Sequence, residues 1–276
     1  MVVEVQGDLA ATGLYGDFEV PTGTWQRRAW RCQLQGSDPS DARYFLQLLC
    51  FIRAVDLVIR AAVRRGILID MRIDFDPQAM DATAFYRLLT AVVVPRPIAW
   101  VSTVSSADPS VTNLAPHSFF TVACTEPPIV QFTSVGRKDT LNNVEATGEF
   151  VVNFCSESQF EQINATGTDF PPGIGEFDAV GIEQEASLRV KPPRVAGSPV
   201  ALECRLHSTL RLGNSTVVFG EVVHAAVDED TVVDGLPDVR LLRPLSRLGK
   251  NEWGSTPASG IRDIARIRYQ DWPKSE

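Results

Sequence analysis

The chain has 276 residues, of which 44% are hydrophobic and 22% charged, with a net charge of −8. That is an ordinary globular composition, long enough to bury a sizeable core. It excludes a nucleic-acid surface, which needs a clustered basic face, and leaves any anion site a local feature. Five scattered cysteines, odd in number and without a CxxC pair, fit a reducing cytoplasm better than a disulfide framework. The three histidines lack the spacing with Cys or carboxylates that metal sites use, so no metal is expected.

Residues 1–40 mix Gly, Trp, Arg and Ser without a helix or strand period. Residues 41–65 are predicted as a helix with Phe45, Leu48, Leu49, Ile52, Val55 and Ile59 on one broad face. Arg43, Arg53, Arg60 and Arg64 interrupt it too often for a membrane span. One reading makes this a membrane-surface or partner-binding helix. The other, which we expect, takes Met71 as the natural start, because nothing upstream agrees with a fold at several levels.

From Asp76 the signals are clean. Asp76-Pro77 reads as a helix opening, and Phe85, Leu88, Leu89 and Val92 recur at helical spacing. Pro95 and Pro97 end that helix ahead of a strand over Ile98–Thr103. Further strands are predicted over Val111–Phe120 and Ile129–Ser134, then a helix from about Asp139 to Ala146, capped by Asp139 or Thr140. Gly148 ends it, and Glu149–Cys155 is the next strand. A short helix follows over Glu157–Ala165. Residues 166–199 are rich in Gly and Pro and poor in period, and read as a lid or a partner-contacting excursion. Ala201–Leu212 and Thr216–Val227 form a hairpin around Gly213-Asn214, and the tail from Pro257 is peripheral. Six or more strands with few helices predict a mainly β protein, a closed or half-closed antiparallel barrel.

The stretch 95–143 organises the rest. Arg137 and Lys138 stand just ahead of a helix start, where free N–H groups and the positive dipole end favour an anion. Hydroxyls of Ser102, Thr103, Ser118, Ser134 and Thr140 can add neutral donors. The ligand this suggests is a phosphate carrying a ring system.

The segments VPRPIAWVST, NLAPHSFF, EPPIVQFTS, KDTLNN with EFVVN, and GEVVHAAV with RPLSRLG resemble, in order and spacing, the flavin reductase-like FMN-binding split-barrel family, in particular its flavoredoxin-like group. The resemblance covers roughly residues 71–255, leaving 1–70 as an extension and 256–276 as a tail. It implies a homodimeric split β-barrel of Greek-key character with FMN near the subunit boundary. It also implies cofactor contacts from Ser102, Thr103, Asn113, Ala115, Pro116, His117, Ser118, Phe119, Ser134, Arg137, Lys138 and Thr140. Trp100, Trp253, Phe119 and Phe120 are candidate stacking partners. Where the family has a second Gly after R-L-G this chain has Lys250, which calls for a backbone that Lys adopts less readily than Gly.

The implied function is an oxidoreductase moving electrons from NAD(P)H through flavin to a small acceptor or free flavin. The alternative is an FMN electron carrier serving a redox partner or monooxygenase. Many short flavin reductases carry a His associated with nicotinamide ahead of F-x-G-x-V; the aligned Gly213-Asn214-Ser215-Thr216 has none, which favours the carrier. A barrel holding another cofactor, such as haem or a deazaflavin, is the third reading. No catalytic side chain is assigned, because hydride transfer needs positioning and dryness more than an acid or base.

Overall fold

The computed structural model describes residues 72–171 and 173–264. The predicted 41–65 helix and both readings of residues 1–70 lie outside the described residues, as does the tail from 265. The first helix, α1 (Ala82–Val92), starts later than Asp76-Pro77 implies: Asp81 caps it, its carboxylate accepting from the Ala84 N–H at 3.1 Å. Residues 77–80 form only turns and a bend, since Asp76 spends its carboxylate on the Gln78 N–H two residues on.

Strands β2 (Ala99–Val104), β3 (Thr112–His117), β4 (Phe120–Cys124), β5 (Ile129–Val135), β6 (Glu149–Phe154), β9 (Val200–Leu212) and β10 (Ser215–Val227) form one antiparallel sheet. Its order is β3-β2-β6-β9-β10-β5-β4. The two edge strands, β3 and β4, are consecutive in the chain and separated only by Ser118 and Phe119. The Thr133 N–H on β5 donates to the Phe119 carbonyl at 2.9 Å. A sheet whose outer edges are joined by two residues has to roll up, so it forms a barrel with a seam at Ser118–Phe119. The predicted strand over 111–120 is therefore two strands meeting at that seam. Mainly β with a few helices, in a split barrel, is the observed class.

β2 is buried on both faces, which explains its lack of polar alternation. Ala99 and Val101 join Phe132, Phe150, Val218 and Leu141 in one cluster; Leu141 and Val144 come from α2 (Asp139–Thr147). Ile98 and Trp100 face the other way, into a cluster with Leu114, Phe177, Ile182 and Val195. The last three belong to the 166–199 segment, which corrects the reading of that segment as a lid. Its α4 (Glu176–Val180), β7 (Gln184–Glu185) and β8 (Arg194–Val195) cover the outer face of β2 and β3. The period was illegible because each of these pieces is five residues or shorter.

The β9–β10 hairpin turns at Gly213-Asn214 as predicted, with Gly213 at φ +59°. Glu157–Gln159 is a 3-10 turn leading into α3 (Phe160–Ala165). After β10, β11 (Val232–Val233) and β12 (Leu236–Pro237) pair as a two-stranded ribbon, and a small further sheet joins β1 (Arg96–Pro97), β13 (Leu245–Arg247) and β14 (Trp253–Ser255). In the β13–β14 turn Lys250 does hold a left-handed φ of +52°. Gly220 on β10 is fixed by contact: a Cβ there would sit 2.2 Å from Cζ of the fully buried Phe150. Gly220→Ala is expected to lower the unfolding free energy by about 1–3 kcal/mol, the usual cost of overpacking. Urea denaturation checks this, and a change below ~0.5 kcal/mol would contradict the packing described.

Candidate functional site

The barrel seam opens into a cleft of about 380 Å³. Its floor is β3: Asn113, Ala115, Pro116 and His117 face it, with Ser118 and Phe119 at the seam itself. Lys138, Asp139 and Thr140 at the start of α2 form one wall, and Thr166–Phe170 with Glu176 form the other. Tyr86 of α1 closes one end and meets Phe119 edge-on, ring centroids 6.3 Å apart.

A buried polar network holds the floor. Asn113 Nδ2 donates to Glu176 Oε2 at 2.7 Å, and the Leu114 N–H donates to the same oxygen at 2.8 Å. Asn113 Oδ1 accepts from Thr140 Oγ1 at 3.0 Å and from Thr103 Oγ1 at 3.3 Å. Thr103 in turn accepts from Asn143 Nδ2 at 3.0 Å. The network ties β2, β3, α2 and α4 into one rigid floor. Burial pushes the Glu176 carboxyl above its ordinary range, the bonds from Leu114 and Asn113 opposing this.

α2 begins without a side-chain cap. Lys138 is its N-cap residue and makes no capping bond, and Asp139, expected to cap, is instead the first helical residue. The open N–H groups of the first turn and the Lys138 ammonium thus meet at the cleft. Lys138 Nζ is paired with Asp169 Oδ1 at 3.0 Å, both side chains being exposed. Such a pair is worth at most about 1 kcal/mol, so an incoming dianion can displace Asp169.

His117 is buried, its ring tilted against Phe132 at 4.7 Å. Burial lowers its pKa to about 4, with a bond to the Thr133 backbone opposing and Lys138 reinforcing the shift. It is neutral at pH 7, and its Nε2 has no hydrogen-bond partner. A buried, unpaired ring nitrogen on a cleft wall is a polar group held ready for a ligand.

Of the predicted cofactor residues, Asn113, Ala115, Pro116, His117, Ser118, Phe119, Lys138 and Thr140 line the cleft. Four do not. Ser102 is fully buried and donates to the Pro193 carbonyl at 2.5 Å. Thr103 is fully buried inside the network. Ser134 is fully buried and donates to the Gly136 carbonyl at 3.0 Å. Arg137 turns outward, bonding Asn142 at 3.0 Å and Glu145 at 2.7 Å. Lys138 is extended (φ −126°, ψ 169°) just ahead of the helix, and neighbouring side chains on extended backbone point to opposite sides, so only one of the two cations enters the cleft. Thr140 spends its hydroxyl proton on Asn113, leaving its backbone N–H as the donor on offer.

Among the stacking candidates Phe119 lines the cleft. Trp100 is core, its Nε1 donating to Thr166 Oγ1 at 2.9 Å. Phe120 packs on the barrel interior, and Trp253 lies in a neighbouring cavity. Sequence reading missed Glu176, Asp169 and Tyr86. The first two sit in the segment without period, and Tyr86 lies beside the predicted apolar stripe rather than on it.

Residues 91–238 match the family model described as a flavin reductase like domain. An uncharacterized protein of Deinococcus radiodurans is 38% identical over 208 residues, covering 72% of this chain and 91% of that protein. Nitrilotriacetate monooxygenase component B from Bacillus cereus superposes with a TM-score of 0.66 at 27% identity, over 72% of this chain and all of that one. A 2-nitrobenzoate 2-nitroreductase of Pseudomonas fluorescens gives a TM-score of 0.66 at 29% identity, over 74% of this chain and all of that one.

Proposed function

The chain belongs to the flavin reductase-like family, and from that premise we propose that the seam cleft holds FMN and that the protein passes electrons from NAD(P)H through it to a small acceptor or free flavin. The observation carrying this reading is the pairing of Lys138 at an uncapped helix start with the unpartnered, neutral His117 Nε2 in one cleft. In it, Lys138 and the first-turn N–H groups bind the phosphate. His117 accepts a hydrogen bond from an N–H or O–H of the ligand, and Phe119 with Tyr86 supplies an apolar wall. Asn113 and Thr140 keep that frame rigid, with Ala115, Pro116 and Ser118 shaping the floor. When bound, flavin supplies the redox chemistry itself. The residues position and dehydrate, and none is assigned as acid or base.

A second reading, an FMN electron carrier acting through a partner protein, is favoured by the β9–β10 turn, where Ser215 follows Gly213-Asn214 and no His is present. Likeness to a monooxygenase component supports a protein partner. The homodimer belongs to the same proposal, supported by Leu89 and Val92 of α1 and the Val93 that follows it, exposed by 47%, 64% and 59%. So does a reducing cytoplasm, supported by the buried free thiols of Cys155 and Cys204. Purified protein is expected to be yellow with one FMN per chain, and to oxidise NADH or NADPH when FMN is added. Turnover only with a partner protein would transfer the assignment to the carrier; no flavin uptake would remove both.

A further inference from the structure

A second cavity, of about 290 Å³, adjoins the seam cleft through Pro116, Ser118 and Gly167, which line both. Ile98, Asn164, Arg247 and Trp253 complete it. The Arg247 guanidinium lies over the Trp253 ring, 4.5 Å from its centroid, and Phe160 meets the same ring edge-on at 5.1 Å. Stacking holds the guanidinium flat and leaves its in-plane N–H donors free to read a planar anion. One of them reaches the Lys250 carbonyl at 3.3 Å.

No carboxylate of the described residues lies within 4 Å of this guanidinium, nor of Arg96, its register partner on β1. Arg96 spends its two terminal guanidinium nitrogens on the carbonyls of Thr90, Val93 and Leu248 at 2.5–2.9 Å. Arg247, which lines the cavity, therefore stands there without an acidic partner. The lining decides the ligand's sign: Arg247 is the one ionised side chain among the residues that line this cavity, and no acidic residue lines it.

We propose that this second cavity is the subsite for a small ring-bearing anion, whose carboxylate or phosphate is held by Arg247 while its ring lies against Ile98, Pro116 and Trp253. Its volume is just under the range of drug-sized pockets, so it takes one ring and its anion rather than a dinucleotide. The assignment of that anion as the second substrate rests on the flavin reading, because only a flavin next door would make it a redox partner. An aromatic carboxylate acceptor and the mononucleotide half of a pyridine dinucleotide share this chemistry.

The test is calorimetric titration of FMN-saturated full-length protein with benzoate and, separately, with nicotinamide mononucleotide. Wild type is compared with Arg247→Gln and Arg247→Lys, and FMN affinity is followed by flavin fluorescence. At least one probe is expected to bind wild type. Arg247→Gln should weaken that probe about tenfold or more, the loss of a charge-assisted pair, with FMN affinity unchanged within about twofold. Arg247→Lys keeps the charge without the planar fork and should fall between; it serves alone if Arg247→Gln misfolds. Binding of benzoate only assigns the carboxylate, of the mononucleotide only the phosphate, and of both a general anion subsite. Should neither bind, or should both variants bind as wild type does, the proposal is overturned. Arg247-dependent binding in protein that takes up no FMN would keep the subsite and sink the flavin reading instead.

Discussion

Arg194→Met is expected to lower the unfolding free energy by about 3–5 kcal/mol, the cost of stranding a buried charge. The charge is Glu203 on β9, fully buried. It accepts from the N–H groups of Leu188 and Arg189 at 2.9 and 2.6 Å, from Arg194 Nε at 2.9 Å and from the second guanidinium arm. Burial pushes its carboxyl up, but those four donors outweigh burial and hold it below the ordinary carboxylate range. Glu185 gives the outer side of Arg194 a weaker contact at 3.3 Å. Without Arg194 the carboxylate keeps two backbone donors and loses its only buried cation. Adding Glu203→Gln, which removes the charge and keeps an acceptor oxygen for one of the two N–H groups, should restore part of the loss. Denaturant unfolding of the two variants decides it; a single-variant cost under ~1 kcal/mol would mean that the pair does not pin the 184–195 segment to β9.

The second large effect is in pH. His117 titrates near 4 in the folded protein and near 6.5 when unfolded. Between these values the unfolded chain binds a proton that the folded chain refuses, so stability falls as pH drops from about 6.5 to 4. Above 6.5 this group contributes no pH dependence. At about 1.4 kcal/mol per pH unit the interval is worth roughly 3 kcal/mol. Glu203, its folded pKa depressed, also loses stability on acidification, and Glu176, its pKa raised, works in the opposite sense. The readout is therefore the difference between wild type and His117→Gln across pH 4–7. Wild type should lose about 3 kcal/mol more than the variant, and parallel curves would contradict a neutral, buried His117.

What was legible in the sequence had a local cause. The end of α2 follows from Gly148, at φ +72°, and the long hairpin from Gly213-Asn214. The barrel class follows from the count and length of the β-rich runs. What was illegible depends on partners remote in sequence. Glu176 acquires its role from Asn113, 63 residues away, and the strand break at Ser118–Phe119 is imposed by closure of the sheet, not by a turn motif. The neighbours Arg137 and Lys138 show the same limit at its smallest scale: both carry the right charge, but Arg137 is drawn outward by Asn142 and Glu145 while Lys138 lines the cleft.

That neighbouring pair also gives the most direct test of the seam cleft. Titration of FMN into wild type, Lys138→Ala and Arg137→Ala, followed by flavin fluorescence, should give one site per chain. Affinity should fall about tenfold to a hundredfold for Lys138→Ala, the loss of a charge-assisted contact worth about 1.5–3 kcal/mol, and stay within about twofold for Arg137→Ala. Equal affinities for all three proteins, or no uptake of FMN by wild type, would contradict the placement of the phosphate at the start of α2.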